Sequence, residues 1–520
     1  MNLALERFLA SRAAIVLAVA IALCWGFWST PLYDLDEGAF TEATREMMET
    51  GNYTSIYLNG EARHDKPILI YWLQAASAHI FGLSEFSLRL PSVLAGFAWV
   101  FALFAFARRH ADKATAGVAA ILLALSLYVG LIAKAAVADA LLNLFLVLAM
   151  FDIYSYYQQS SRKLLLRIFV WLGLGFLTKG PVAIFFPFLV SGLFYVSYGQ
   201  WREWLRLVFY PPGILIFLAI VVPWHVAVYL DSGWAFFEGF YLNHNIDRYN
   251  GAMEGHDGSA LYFILVAPLI VMPFGGWFIA SLSRLGRVFE QPLDRFVWLW
   301  FFSVLVVFSF SGTKLPHYLL YGMSGVLVLM AMQRESLANR WLSFVPVLLL
   351  FVFFSALPQL FAFLVTQTKR EYDLTMFEMG AEAFSGWPQI FMLAALLLSV
   401  LVMFLRLRLW QRLLLHGFIQ AVLIAFLILP VVMGLLQDGP KAAALYAKEQ
   451  GKNLVYHRAY QPSVSVYRDQ IIRHEKAKPG QWVYVRVDKV ESFLAEPSPY
   501  TKKLVFSHPP ANLFAIEEKD

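Results

Sequence analysis

Carboxylates that could act in acid–base chemistry occur where apolar stretches of this 520-residue chain meet polar connectors. Asp36 and Glu37 follow the first apolar stretch, and Asp139 begins a later one. At a membrane surface, partial burial can tune the pKa of a carboxylate for catalysis as a general base. Other roles stay open, since Asp36 and Glu37 could cap a helix and Asp139 could form an ion pair with Lys134 or Lys179.

Three basic residues could bind a phosphate group. Lys66, which precedes Pro67, and Arg248 lie on separate connectors, and an Arg side chain can hold a phosphate through two hydrogen bonds. Lys179, at the end of an apolar stretch, is the third candidate. Snorkelling to lipid headgroups is the commoner role of a lone cation at a membrane interface and is the alternative here.

Histidines in the same connectors raise the question of a metal site. His64, Asp65, His244 and His256 could supply ligands, but the sequence has no i, i+4 histidine pair and no H-E-x-x-H motif. A divalent metal at Asp65 and His244 is a possible addition, and no cofactor is required. The residues expected to line a pocket beside the carboxylates are His244, Tyr249, His256, Lys314 and His317. The last two flank a proline, so marking the start of a helix is their alternative role.

The distribution of charge puts these residues on one side of a membrane. The chain is 59% hydrophobic and 15% charged, against about 25% charged residues in a soluble domain. About thirteen apolar stretches alternate with connectors, and the connectors rich in Lys and Arg belong in the cytoplasm by the positive-inside rule. Those connectors contain Arg108, Arg109 and Lys113; Arg162, Lys163 and Arg167; Arg202 and Arg206; Arg284, Arg287 and Arg295; Arg334 and Arg340; and Arg406, Arg408 and Arg412. The candidate residues then face outward.

A polytopic α-helical membrane protein with a small C-terminal α/β domain is the fold class that we predict. The spans cover residues 11–30, 91–107, 114–132, 138–157, 163–178, 181–198, 207–230, 258–280, 294–311, 316–332, 341–366, 388–406 and 413–436. Helices near 38–50 and 67–82 are placed on the outer surface, because counting 67–82 as a span would reverse every later basic loop. Residues 437–520 have the composition of a soluble protein and short strand-like runs, which predicts a periplasmic α/β domain.

Composition also excludes several kinds of protein and site. The net charge of +5 is small for this length and comes largely from the cytoplasmic loops, so nucleic-acid binding is not indicated. Cys24 is the only cysteine, which rules out an internal disulfide. No Walker loop and no G-x-G-x-x-G after a strand is present, so a nucleotide site is not indicated either.

One ordered set of motifs resembles a known family. In chain order the motifs are Asp36-Glu37, Asp65-Lys66-Pro67, Asp139, Phe176 to Ala183, Pro223-Trp224-His225, His244-Asn245, Arg248-Tyr249, Gly255-His256 and Lys314 to Leu319. With them the chain resembles the dolichyl-phosphate-mannose-protein mannosyltransferase family over most of residues 30–330. The likeness is greatest to the bacterial aminoarabinose transferase (ArnT) branch. Each motif is short, but their order and spacing are specific.

The resemblance implies a GT-C membrane fold and the inverting transfer of a sugar from a polyprenyl phosphate, such as undecaprenyl phosphate, to lipid A or another envelope glycan. By the family pattern, Asp36 is the catalytic carboxylate and Asp139 is a second functional carboxylate. Lys66 and Arg248 bind the carrier phosphate in the same pattern. Where the aminoarabinose branch commonly has Glu-Lys-Pro after aromatic residues, this chain reads EARHDKP over 61–67. The identity of the donor sugar is therefore not carried over, and neither is a metal at Asp65.

Other functions agree with part of the pattern. A flippase or transporter would also span the membrane many times, but its ionisable groups should lie near the midplane on interrupted helices. A non-catalytic lipid-binding protein would keep Lys66 and Arg248 without needing Asp36. Within the family, a protein O-glycosyltransferase is the alternative. We predict a monomeric enzyme of the bacterial inner membrane that contacts lipid, with its site and C-terminal domain in the periplasm.

Reporter fusions test the predicted topology. Fusions after Arg109 and Arg287 should report the cytoplasm, whereas fusions after Gly51, Asp257 and Lys441 should report the periplasm, because the basic loops are retained inside. Alkaline phosphatase activity reports a periplasmic fusion point, and green fluorescent protein fluorescence reports a cytoplasmic one. A periplasmic signal after Arg109 would mean that residues 67–82 cross the membrane, and the one-sided clustering would be lost.

Overall fold

The computed structural model describes residues 11–247, 258–473 and 475–518. Helices form most of the chain up to Glu449. The first of them are α1 (Arg12–Val19), α2 (Asp36–Thr50), α3 (Leu69–Phe81), α4 (Glu85–His110), α5 (Lys113–Leu125), α6 (Leu127–Lys134), α7 (Asp139–Gln159), α8 (Arg162–Lys179), α9 (Val182–Val196), α10 (Trp201–Val208) and α11 (Pro211–Ser232). They are followed by α12 (Tyr262–Ile270), α13 (Gly275–Ser281), α14 (Pro292–Ser309), α15 (Leu320–Met332), α16 (Arg340–Ser355), α17 (Leu357–Gln367), α18 (Glu371–Ala383), α19 (Trp387–Met403), α20 (Leu409–Leu423) and α21 (Leu429–Glu449).

Shorter segments connect these helices. A hairpin joins β1 (Tyr57–Leu58) to β2 (Glu61–Ala62) in the connector between α2 and α3. π-Helical segments occur at Ala20–Cys24, Glu238–Asp247 and Ile424–Ile428, and the 3-10 segments are Leu282–Phe289, Pro316–Leu319, Arg334–Ser336 and Val487–Lys489. Polar caps fix several helix starts. Ser84 and Ser87 form a capping box at α4, and the Asp112 carboxylate accepts hydrogen bonds from two N–H groups at the start of α5.

Several helices have the length and apolarity needed to cross a bilayer. In the part of the chain that the structure describes, α4, α7, α11, α14 and the continuous helical segment Leu409–Glu449 meet this condition singly. Four pairs of helices meet it together although each pair is bent, by 65°, 116°, 64° and 67°. The protein is therefore a multi-pass membrane protein, and its described residues hold up to nine helical segments long and apolar enough to be spans. Each of the thirteen predicted spans contains helix, but the exact number of crossings stays a prediction.

Two helices differ from what the sequence suggested. The stretch 367–387 was expected to be a connector, yet it contains α18, whose Tyr372 ring lies 4.8 Å from the guanidinium of Arg486. Helix α21 also continues through the predicted domain boundary at residue 436 and includes Pro440. A proline within a helix removes one hydrogen bond without ending the helix when packing holds it. The two parts of the chain are thus joined by a continuous helix.

The C-terminal segment builds a four-stranded sheet with helices on both faces. Its elements are β3 (Leu454–Tyr456), α22 (Pro462–Arg468), β4 (Trp482–Arg486), α23 (Val490–Ala495), β5 (Tyr500–His508) and β6 (Ala511–Glu518). The strand order is β3-β4-β6-β5, with β3 parallel to β4 and the other pairs antiparallel. One face packs Tyr456, Tyr484 and Leu513 against α21 and α22. The other packs Val483 and Phe514 against Phe493 of α23.

A buried ion pair connects the ends of several helices. The Arg89 guanidinium of α4 donates to both carboxylate oxygens of Glu37 on α2, through Nε and Nη2 at 2.6 Å each. Its remaining donors bind the carbonyl oxygens of Phe27, Thr30 and Pro31. Glu37 also accepts hydrogen bonds from the backbone N–H groups of Tyr33 and Ala136. The pair therefore ties α2, α4, the loop before α2 and the loop before α7 together.

Removing one partner of this pair should strongly destabilise the protein. Arg89→Met leaves the Glu37 carboxylate buried without a counter-charge, a change that costs about 3–5 kcal/mol in other proteins. The double variant Arg89→Met/Glu37→Met should recover part of that loss, because no unpaired charge remains. The melting temperatures of the single and double variants are measured in detergent, and Arg202→Met, which removes an exposed arginine, is the control. Equal stability of Arg89→Met and the wild type would contradict the assignment.

Candidate active site

One cavity of about 310 Å³ opens where α2, α6, α7 and α8 meet. Its lining includes six of the candidate site residues named from the sequence, which are Asp36, Glu37, Lys66, Asp139, Lys179 and His317. Glu37 and Arg89 form part of its wall. The remaining surface is largely apolar and aromatic, with Phe27, Phe40, Tyr128, Leu131, Ile132, Leu429 and Met433 among the lining side chains. Carboxylates and cations that are far apart in sequence therefore share one pocket.

Asp36 is the carboxylate best placed to react. It is exposed, lines the cavity and is the first residue of α2. Leu35 holds the N-cap position, and no side chain caps this helix. In the part of the chain that the structure describes, the Asp36 carboxylate has no hydrogen bond and no ion pair. The geometry thus disfavours the capping role and leaves the carboxylate available to a ligand.

Glu37, the neighbouring carboxylate, has a different environment. Its side chain is fully buried and its oxygens are taken by Arg89 and two backbone N–H groups. Two guanidinium hydrogen bonds hold this carboxylate in one orientation. This geometry favours a positioning role for Glu37 over the catalytic role that its sequence position suggested.

Asp139 is the centre of a polar cluster at the start of α7. Its Oδ1 lies 2.6 Å from Lys179 Nζ, 2.8 Å from Tyr321 Oη and 3.4 Å from His317 Nε2. Lys179 also donates to the Tyr321 hydroxyl at 3.0 Å. Of the two ion pairs considered for Asp139, the structure forms the one with Lys179, not the one with Lys134. Asp139 thereby fixes the position of a lysine and a histidine at the cavity wall.

Lys66 lines the cavity beside Asp65. Its Nζ lies 3.2 Å from Asp65 Oδ2 and also donates to the Asp65 carbonyl oxygen. Asp65 is in turn bound by Arg63, with Nε and Nη2 at 2.6 and 2.8 Å from its two oxygens. Because both oxygens are engaged by a guanidinium, this carboxylate does not fit the predicted role of metal ligand. Among the described residues, no group of three His, Cys, Asp or Glu side chains could hold a metal ion.

Lys314 was predicted to line the pocket, and this prediction is wrong. Its ammonium is buried and donates to the carbonyl oxygens of Ser309 and Ser311, at 3.0 and 2.9 Å, while facing the Phe263 ring. Lys314 thus caps the C-terminal end of α14, where free carbonyl groups and the helix dipole favour a cation. Arg248, Tyr249 and His256 lie outside the described residues, as does the side chain of His244.

Two cavity residues were missed as functional candidates. Arg89 was placed just before a predicted span, although an ionisable residue inside an apolar helix is a signal of function or of a buried pair. Lys134 was weighed only as a partner for Asp139. The structure puts it at the end of α6, where it lines the cavity.

Known proteins share this sequence pattern. The family described as dolichyl-phosphate-mannose-protein mannosyltransferase matches residues 65–226. An uncharacterised protein of Aquifex aeolicus is 31% identical over 297 residues, which cover 57% of this chain and 67% of that protein. The chain belongs to the dolichyl-phosphate-mannose-protein mannosyltransferase family. Its likeness within the family is to the ArnT branch, as the motifs predicted.

Family members with named activities match over part of their length. The undecaprenyl phosphate-alpha-4-amino-4-deoxy-L-arabinose arabinosyl transferase of Yersinia enterocolitica is 28% identical over 64% of this chain and 61% of its own length. The Serratia proteamaculans protein of the same name is 29% identical over 62% of this chain and 59% of its own. The chain thus spans about three fifths of these mannosyltransferase-family relatives.

A solved structure establishes the fold of this family member. ArnT from Cupriavidus metallidurans bound to undecaprenyl phosphate superposes with a TM-score of 0.78, and the match covers 96% of both chains at 17% identity. The apo form of the same protein gives a TM-score of 0.76. The predicted GT-C membrane fold is confirmed.

The C-terminal segment of this mannosyltransferase-family protein contacts the loop that leads to Asp36. Asp34 accepts two hydrogen bonds from Ser463 of α22, from its backbone N at 3.0 Å and its Oγ at 2.5 Å. The Leu32 backbone N–H donates to the Tyr467 hydroxyl at 2.7 Å. Gly38 allows this approach, since a Cβ there would clash with the Asp34 carboxylate and lie 2.8 Å from Ser463 N. Residues of α22 therefore hold the loop in place.

Burial of Asp34 should make the contact with α22 depend on pH. Burial raises the pKa of Asp34 to about 7, although the two hydrogen bonds from Ser463 act in the opposite direction. An unfolded Asp has a pKa of about 3.9. Between these two values the folded protein binds more protons at Asp34 than the unfolded chain does. The free energy of unfolding must therefore fall as the pH rises through this window.

The Asp34→Asn variant tests this linkage. Asn keeps both hydrogen-bond positions but does not titrate, so the melting temperature of the variant should change less than that of the wild type between pH 5 and pH 8. The difference between the two profiles isolates Asp34, and Glu491→Gln on the exposed side of α23 is the matched control. Parallel profiles for wild type and Asp34→Asn would show that Asp34 does not titrate in this range.

Proposed function

We propose that this protein is an inverting glycosyltransferase that moves a sugar from a polyprenyl phosphate donor to lipid A or another envelope glycan at the periplasmic face of the bacterial inner membrane. The observation that carries the proposal is the single cavity holding the unpaired carboxylate of Asp36 with Lys66 and Lys179. The names of the arabinosyl transferase relatives and of the undecaprenyl phosphate-bound ArnT structure support the donor class.

Departure of the carrier needs positive charge. In an inverting displacement, the acceptor oxygen forms a bond to the anomeric carbon while the bond from that carbon to the carrier phosphate breaks. The electron pair goes to the phosphate, which is a stable anion and requires no general acid. Lys66 stabilises the growing charge through an ionic hydrogen bond. Asp139 holds Lys179 at the same wall, where it adds to the positive potential that the phosphate meets.

Activation of the acceptor needs a base only when the acceptor is a hydroxyl. Asp36 then takes the hydroxyl proton as the new bond forms, a contribution typically worth about 10²–10⁴ in rate. An ionised phosphate acceptor carries no such proton and needs a base much less. The unpaired state of Asp36 among the described residues suits this role, because the oxygens of the neighbouring Glu37 are engaged by Arg89.

The position of these residues along their helices argues against transport. Asp36 and Asp139 are the first residues of α2 and α7, and Lys179 is the last residue of α8. All three therefore lie at helix ends. A transporter would place its ionisable groups near the midplane of the bilayer on broken helices.

The Asp36→Asn variant tests the proposed chemistry. Loss of the base should lower sugar transfer by about two to four orders of magnitude, whereas the melting temperature should change little because Asp36 caps no helix. Purified protein is assayed with a labelled polyprenyl phosphate sugar and lipid A in detergent.

A matched control removes a carboxylate far from the cavity. Glu203→Gln breaks an exposed pair with Arg206 on α10 and should leave transfer unchanged. Transfer by Asp36→Asn within about threefold of the wild type would remove Asp36 from the reaction. A wild-type protein that transfers no sugar from any polyprenyl phosphate donor to lipid A or envelope glycan would overturn the proposed function itself.

A further inference from the structure

Lys134 is the last residue of α6 and lines the cavity. It is only 6% exposed. Around it the cavity is lined by Tyr128, Leu131, Ile132, Leu429 and Met433. Helix α6 forms a bent membrane-crossing pair with α5. A lysine here is surrounded by apolar side chains rather than by the polar connectors.

Lys134 differs from the other cations of the cavity, each of which lies next to a carboxylate. Nitrogen atoms of Arg89 and Lys179 lie 2.6 Å from carboxylate oxygens, and Lys66 Nζ lies 3.2 Å from one. Within the described residues, Lys134 makes no hydrogen bond and no ion pair. An ammonium group buried without a counter-charge is unfavourable by several kcal/mol unless a ligand compensates it.

The backbone that carries Lys134 is held rigidly. Glu37 accepts from the Ala136 N–H at 2.7 Å, and Gln74 donates to the Ala136 carbonyl at 2.9 Å. Helix α6 also packs closely on α4, since a Cβ on Gly96 would lie 2.7 Å from the Ala133 Cβ. The lysine is thus fixed beside the cavity by the same carboxylate that binds Arg89, and it does not reach the cavity through a loose connector.

We infer that Lys134 binds the phosphate group of a lipid substrate. A phosphate supplies the missing negative charge, and the apolar lining around Lys134 suits the hydrocarbon next to that phosphate. The inference rests on the proposed function, because two substrates of that reaction can carry such a group. One is the polyprenyl phosphate donor, and the other is an acceptor lipid that bears its own phosphate.

Direct binding distinguishes these sources without relying on turnover. Undecaprenyl phosphate, phosphorylated lipid A and enzymatically dephosphorylated lipid A are titrated into purified protein in detergent, and the dissociation constants are measured by thermophoresis. Lys134→Met should weaken one phosphorylated lipid by about 10- to 100-fold, as expected for loss of one ionic hydrogen bond. Lys134→Arg should retain most of the affinity. The lipid that loses affinity identifies the source of the phosphate.

The stability of the ligand-free variant separates binding from a structural role. Lys134→Met removes a buried unpaired charge, so its melting temperature without lipid should be equal to or above that of the wild type. A lower melting temperature would indicate a structural lysine and overturn the inference. The inference would also be overturned if Lys134→Met bound both phosphorylated lipids with dissociation constants within twofold of the wild type. An equal loss of affinity for lipid A with and without its phosphates would overturn it as well.

Two controls complete the design. Lys163→Met removes an exposed lysine at the start of α8 and should change none of the three dissociation constants. Sugar transfer by the wild type is measured in parallel. If the wild type binds the lipids through Lys134 but transfers no sugar, the inference stands and the proposed function fails. If the wild type transfers sugar and Lys134→Met binds the lipids normally, the proposed function stands and the inference about Lys134 fails.

Discussion

The ion pair between Glu37 and Arg89 is the interaction on which the rest of the site depends. It is buried and bidentate, and each partner has further hydrogen bonds to backbone groups from other segments. Such a pair is a weak source of stability compared with apolar packing, but it fixes geometry because every donor has one acceptor. Helix α2 begins beside it, so the orientation of Asp36 is set one residue away. The loop that leads from Lys134 to Asp139 is attached to the same carboxylate.

The cavity divides its charges into paired and unpaired groups. Asp139 pairs with Lys179 and Glu37 pairs with Arg89, so these four residues are held in fixed positions at the wall. Asp36 and Lys134 have no such partners among the described residues. In a low-dielectric pocket an unpaired charge interacts far more strongly with a ligand than it does in water. The proposed base, Asp36, and the further phosphate-binding group, Lys134, are therefore the groups that the fold leaves uncompensated.

Much of this organisation was readable from the sequence because the signals are local. Lys and Arg between apolar stretches indicate the topology, and Asp36, Lys66, Asp139 and Lys179 occur where helices begin or end. The four C-terminal strands were likewise predicted by short apolar runs. What the sequence did not indicate depends on long-range contacts. Nothing near Glu37 in the sequence predicts that its partner is Arg89. Nothing near Lys314 predicts that its ammonium would be buried and hydrogen-bonded to backbone carbonyl groups. The continuous helix α21 was missed because a proline and a change in composition mark a boundary that packing overrides.

The contact between Asp34 and Ser463 joins residues 429 positions apart in sequence. At a synthesis rate of roughly 5–20 residues per second, the loop that contains Asp34 leaves the ribosome roughly 20–90 s before the helix that holds it. Until then the N-terminal carboxylates are in the membrane without their final support. The loop before α2 therefore waits for the synthesis of α22, and the support of Asp36 is among the later steps of assembly.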